Sequence, residues 1–167
     1  DPGTFFPSFE ALAAFLAALP VPIDRVVLGG FSQGAVMSWA LGLGAGVMNV
    51  IVHGSYPRRD NDIEAVLRHK PRIVVTALGS PRDVVDAIHS YGGIVLADVI
   101  SLRFARKALD AGVDGLVLVA AGAGGHTGPI AGFAFVEEVR RFYAGPVVLG
   151  GGIGSGRAIR AAEVLGA

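Results

Sequence analysis

The chain has 167 residues, 52% of them hydrophobic, with 14 basic and 14 acidic side chains that cancel. That length suits one compact domain, the apolar share excludes disorder, and zero net charge gives no electrostatic reason to expect nucleic acid or an anionic membrane as a partner. No cysteine is present, which rules out disulfides, thiolate metal sites and cysteine nucleophiles; the 25 glycines are about twice the usual share and point to tight turns or close backbone–ligand approach.

The chain opens Asp1-Pro2-Gly3 with no charged-then-apolar leader and stops at Ala167 just after a helix-like stretch. It is therefore expected to be cytoplasmic and to be a piece of something longer. Phe9–Leu19 (FEALAAFLAAL) predicts a helix, Pro20–Pro22 a turn, Arg25–Leu28 a strand and Ala35–Leu43 a second helix. No charge interrupts Val26–Val52, but Ser32, Gln33, Ser38, Asn49 and repeated glycines break it into strand-like and helix-like parts. A buried βα unit accounts for it better than a membrane span, and Trp39 reads as core. Between strand and helix stands Gly30-Phe31-Ser32-Gln33-Gly34, a G-x-S-x-G in the strand–turn–helix setting that a nucleophile elbow requires.

From Met48 onward the spacing changes, and a seam is expected near Gly44–Val47, dividing residues 1–46 from 47–167. Strands are predicted at Met48–Val52, Arg72–Thr76, Gly93–Ala97, Gly115–Val119 and Pro146–Leu149. Their nearly continuous apolar runs suit a parallel sheet covered by helices. The helices are Asn61–His69, Pro81–Ser90, Ser101–Ala111 with an N-capping serine, Phe133–Phe142 and Arg157–Leu165. Pro57–Asp62 reads as a solvated loop with a helix cap, and Arg140-Arg141 as an exposed helix end that favours the dipole. Such strict alternation fits an open doubly wound sheet or a (β/α)8 barrel. Eight units of about 23 residues would need close to 200 residues, so the expected fold is α/β, a partial TIM-type barrel of parallel βα units truncated at both ends.

Two glycine-rich loops carry the candidate chemistry. Ala120–Gly128 (AAGAGGHTG) leaves the end of a predicted strand and sets His126 where barrel enzymes place catalytic groups. Gly150–Gly156 (GGGIGSG) enters a helix N-terminus, a turn whose free N–H groups and helix dipole suit a phosphate.

Val26–Gly34 (VVLGGFSQG), with its upstream helix, resembles the carboxylesterase, phospholipase and acyl-thioesterase branch of the α/β-hydrolases. That resemblance implies Ser32 as nucleophile and the Gln33 N–H as part of an oxyanion hole. Asp98 and His126 follow in the order such a triad needs. Residues 47–167 resemble the nitronate monooxygenase (2-nitropropane dioxygenase) family of FMN-dependent barrels. The carrying stretches are Met48–His53 (MNVIVH), Val74–Gly79 (VVTALG), Ala111–Gly128 (AGVDGLVLVAAGAGGHTG) and Val147–Ala167 (VVLGGGIGSGRAIRAAEVLGA). This resemblance implies FMN over the strand C-termini. Asn49 would contact the flavin, Gly124 and Gly125 would lie against it, and Gly151, Gly152 and Gly154 would hold its phosphate. His126 would remove the proton alpha to the nitro group of an alkyl nitro compound, or interact with the nitronate, with O2 as co-substrate. Val119 stands where many members carry a cofactor-touching glutamine. The alternatives are a serine hydrolase using Ser32, or an inactive chimeric fragment that assembles as a homo-oligomer through open sheet edges.

Overall fold

A computed structural model describes residues 47–125 and 127–167. The elbow with Ser32, the predicted strand Arg25–Leu28, Trp39 and also His126 lie outside the described residues. The described elements are β1 (Val47–Ile51), α1 (Arg59–His69), β2 (Ile73–Ala77), α2 (Arg82–His89), β3 (Ile94–Val99), α3 (Leu102–Asp110), β4 (Gly115–Val119), α4 (Gly132–Arg140), β5 (Val147–Gly150) and α5 (Gly156–Leu165).

All four strand pairs are parallel and the order is β1-β2-β3-β4-β5. A doubly wound sheet reverses its order at a switch point, whereas here each strand is added beside its predecessor on the same side. With right-handed crossovers, that order lays every helix on one face and leaves the other as an inner wall. The described residues are thus consecutive units of a barrel wall, and the open doubly wound arrangement is excluded for them.

Burial separates the two faces. Val95, Ala97 and Val99 of β3 are buried on the side of α2 and α3, while the alternating Ile94, Leu96 and Asp98 are exposed or half-buried. The helices bring Val66 from α1, Val84, Val85 and Ile88 from α2, Ala105 and Ala108 from α3, and Phe135, Val136 and Val139 from α4 into one core. The i, i+1, i+4 spacing in α2 and α4 is what places those side chains on one stripe. Ser101 caps α3 as predicted, its Oγ accepting from the Phe104 N–H at 3.3 Å. Phe135 is fully buried. Phe135→Ala should therefore destabilise the fold by about 3–5 kcal/mol, read as a lowered urea midpoint; a loss below about 1 kcal/mol would mean that α4 does not pack here.

Two local readings change. Helix α1 begins at Arg59, two residues earlier than predicted, because Arg59 is anchored. Its guanidinium donates to the Val52 carbonyl at 3.1 Å and pairs with Asp83 at 3.2 Å, and Asp60 and Asp62 sit in the first turn, where the dipole favours them. Arg140 is not merely an exposed helix end. It donates to the carbonyls of Gly145 at 2.6 Å, Tyr143 at 3.2 Å and Gly166 at 3.0 Å, tying α4 to α5. Among the described residues, no helix is long and apolar enough to cross a membrane, and no cluster of His, Asp and Glu could hold a metal ion.

Candidate functional site

The register that pairs Val119 with Gly150 brings the two glycine-rich loops out side by side at the C-terminal ends of β4 and β5. The ladder extends one step further, with the Ala120 N–H donating to the Gly150 carbonyl at 2.9 Å. The loops then press together. A Cβ on Gly122 would lie 3.3 Å from the Gly152 nitrogen. One on Gly151, where φ is +123°, would meet Ala123 N at 2.9 Å, Ala120 O at 3.0 Å and Ala121 O at 3.1 Å. No side chain other than hydrogen satisfies both constraints at Gly151.

The first loop is folded back on β4. Thr127 Oγ1 donates to the Ala120 carbonyl at 2.6 Å, the Gly128 N–H to Val119 at 3.1 Å and the Ala121 N–H to Ile130 at 2.8 Å. Gly124 and Gly125 therefore lie exposed at its outer turn, next to His126 in sequence. In the second loop, Ser155 caps α5, its Oγ accepting from Ala158 N at 3.2 Å. The N–H groups of Gly156 and Arg157 have no partner within the helix, so the turn presents amides beside the positive end of a dipole. Positions Gly124, Gly152 and Gly154 have nothing within 4 Å of where a Cβ would stand. Amide donors at a helix start, flanked by side-chain-free backbone, fit a phosphate-bearing planar group such as FMN.

The inner wall carries the other polar group. Asn49 on β1 and Asp98 on β3 share that face, and Asn49 Nδ2 donates to Asp98 Oδ2 at 3.4 Å. Strands two apart in a flat sheet are separated by about 9.6 Å, so this contact requires a concave wall. It crosses β2 diagonally, between Val75, which is level with Asn49, and Ala77, the next in register after the Thr76–Ala97 pair, whose side chain is only a methyl group. Burial pushes the Asp98 carboxyl up to about 6, partly offset by the Asn49 hydrogen bond. A raised carboxyl pKa means that the folded state holds the proton more tightly than the unfolded chain, so stability falls as pH rises from about 4 through about 6. Asp98→Asn should remove that loss and raise stability at pH 8 by up to about 3 kcal/mol, measured as the melting-temperature difference between pH 4.5 and 8; an unchanged difference would show that Asp98 is solvated.

Asn49, Gly124, Gly125, Gly151, Gly152 and Gly154 are all described, and the two glycine loops meet at the ends of β4 and β5. The sequence considered Asp98 only as a formal triad acid and missed its pairing with Asn49. A signal existed: Asp98 is the one charged residue in the apolar run Gly93–Ile100 and alternates onto the open face. Val119 likewise turns an apolar side chain to the inner wall, on the side of Val117. Leu78, at the end of β2, holds a left-handed backbone at φ 49° and is 49% exposed, a conformation costing about 1 kcal/mol.

The sequence profile of the nitronate monooxygenase family matches residues 17–167, starting upstream of the seam expected near Gly44–Val47. A Mycobacterium tuberculosis protein named "Putative monooxygenase Rv1533" is 37% identical over 125 residues, 74% of this chain and 32% of that protein. FabK from Thermotoga maritima has a TM-score of 0.68 at 27% identity, covering 83% of this chain and 46% of FabK. Nitroalkane oxidase from Streptomyces ansochromogenes has a TM-score of 0.64 at 24% identity over 85% of this chain and 46% of the oxidase, a likeness of fold. The chain spans about a third of the length of the curated relatives it matches. Its fold is that of a partial TIM-type (β/α) barrel.

Proposed function

Because the chain belongs to the nitronate monooxygenase family, we propose that it acts as an FMN-dependent oxidoreductase that oxidises alkyl nitronates or nitroalkanes with O2. One observation carries this reading: the loops 120–128 and 150–156 meet at one end of the sheet, with open space at Gly124, Gly152 and Gly154. Gly151, Gly152 and Gly154 offer their backbone to the FMN phosphate beside the start of α5, and Gly124 and Gly125 lie against the ring system. Asn49 offers its amide from the inner wall. The His126 imidazole accepts the proton alpha to the nitro group, or holds the nitronate once formed. When bound, FMN supplies one-electron chemistry with oxygen, which no side chain can perform. The small-molecule nitronate and O2 are the partners under this reading, met in the cytoplasm.

An absorbance spectrum of the purified chain after soaking in FMN tests the reading. Flavin bands that bleach on reduction support it, and a colourless protein that stays so ends it. Gly124 supplies a finer test, since its φ is not positive and a Cβ there meets nothing. Gly124→Ala should leave the melting temperature of the flavin-free protein unchanged while weakening FMN binding about tenfold. Equal affinity in both proteins would show that the ring does not approach Gly124.

A further inference from the structure

We propose that Asp98 is a positioning residue for this site: by accepting from Asn49 Nδ2 across β2, it turns the Asn49 amide so that Oδ1 is the arm offered to a ligand N–H at the barrel wall. The inference rests on the flavin reading above only for the identity of that ligand, the imide N–H of an isoalloxazine being the matching donor. A primary amide has one accepting arm and one donating arm, and rotation about its last bond exchanges them. A carboxylate can only accept, so it holds the donating arm and leaves the carbonyl oxygen for the ligand. A carboxylic acid can donate to Oδ1 instead, which would swing the NH2 group toward the ligand and set two donors against each other. Burial raises the Asp98 carboxyl to about 6, which brings this reversal near neutral pH. Among the described residues no charged group shares its face. The neighbours on the inner wall are Ala77 and Ile51 on one side and Val117 and Val148 on the other, and among the described residues burial raises its titration and the Asn49 hydrogen bond lowers it.

The chain contains only three side-chain carboxamides, Gln33, Asn49 and Asn61, so their NMR signals are separable. In the flavin-free chain, the Asn49 NH2 resonances, assigned by their loss in Asn49→Ser, should titrate with a single midpoint near that of Asp98 and become flat in Asp98→Asn. Resonances that do not move between pH 4.5 and 8 overturn the pairing. FMN affinity, followed by fluorescence quenching, should weaken about tenfold more between pH 7.5 and 5 in the wild-type chain than in Asp98→Asn. The phosphate of FMN itself titrates near pH 6, but equally for both proteins, so their difference isolates Asp98. Identical pH profiles, with the Asn49 resonances still titrating, overturn the positioning role. Absence of FMN binding by the wild-type chain at any pH removes the flavin reading and the ligand assigned here, while the amide titration separately decides whether Asp98 orients Asn49.

Discussion

Replacing His126 with alanine should lower oxygen uptake with a neutral nitroalkane by about 10²–10⁴-fold, the range expected for loss of a general base. FMN absorbance should persist, because the backbone proposed to grip the phosphate lies in the other loop, at residues 150–156. His126 itself lies outside the described residues. Its flanking residues are described: Gly125 turns at φ 74°, and Thr127 is pinned to the Ala120 carbonyl at 2.6 Å. The described part of that loop is folded back on the end of β4. Substrate choice separates the two roles open to the imidazole. A nitroalkane still carries its alpha proton and needs a base, whereas a preformed nitronate has already lost it. If His126 is the base, His126→Ala spares nitronate oxidation; if it holds the nitronate, both substrates suffer. Equal turnover of both substrates by wild type and variant, measured with an oxygen electrode, would remove His126 from the chemistry.

Gly151→Ala should damage both the fold and the junction of the two loops. The backbone conformation at φ +123° alone costs a side chain about 1–3 kcal/mol. The methyl would also overlap backbone atoms of Ala120, Ala121 and Ala123, which cannot rotate away as a flexible side chain could. The loops must then separate, and the amides proposed to hold the phosphate move with them. A melting temperature several degrees lower and FMN affinity reduced at least a hundredfold are the expected results. Gly154→Ala is the matched control. Its Cβ would meet nothing and its φ is not positive, so the flavin-free protein should melt as wild type does. If Gly151→Ala instead binds FMN normally at an unchanged melting temperature, the two loops do not meet as described and the site falls with them.

Much of the local structure was legible in advance. The five strands and five helices described here match their predicted positions to within two residues, because buried parallel strands are short apolar runs and the helices show apolar stripes, with serine caps at α3 and α5. Ser101 and Gly115–Val119 illustrate this, both standing where patterning placed them. Arg59 and Arg140 were misjudged for one shared reason. Each makes its decisive bonds to residues brought near by the fold, Arg59 to Val52 and Asp83 and Arg140 to Gly145 and Gly166.

The amino-acid sequence by itself determined the alternation of strand and helix, the glycine loops at two strand ends, and the family. All of these are written in contiguous residues, where periodicity and turn chemistry act. Only the tertiary structure decided between a doubly wound sheet and a barrel wall, since both are built from the same βα unit and differ solely in which side of the sheet the next strand joins. It alone brought Gly122 against Gly152 and Asn49 to Asp98. Such contacts depend on register and curvature, which arise when a whole sheet closes its apolar face under helices.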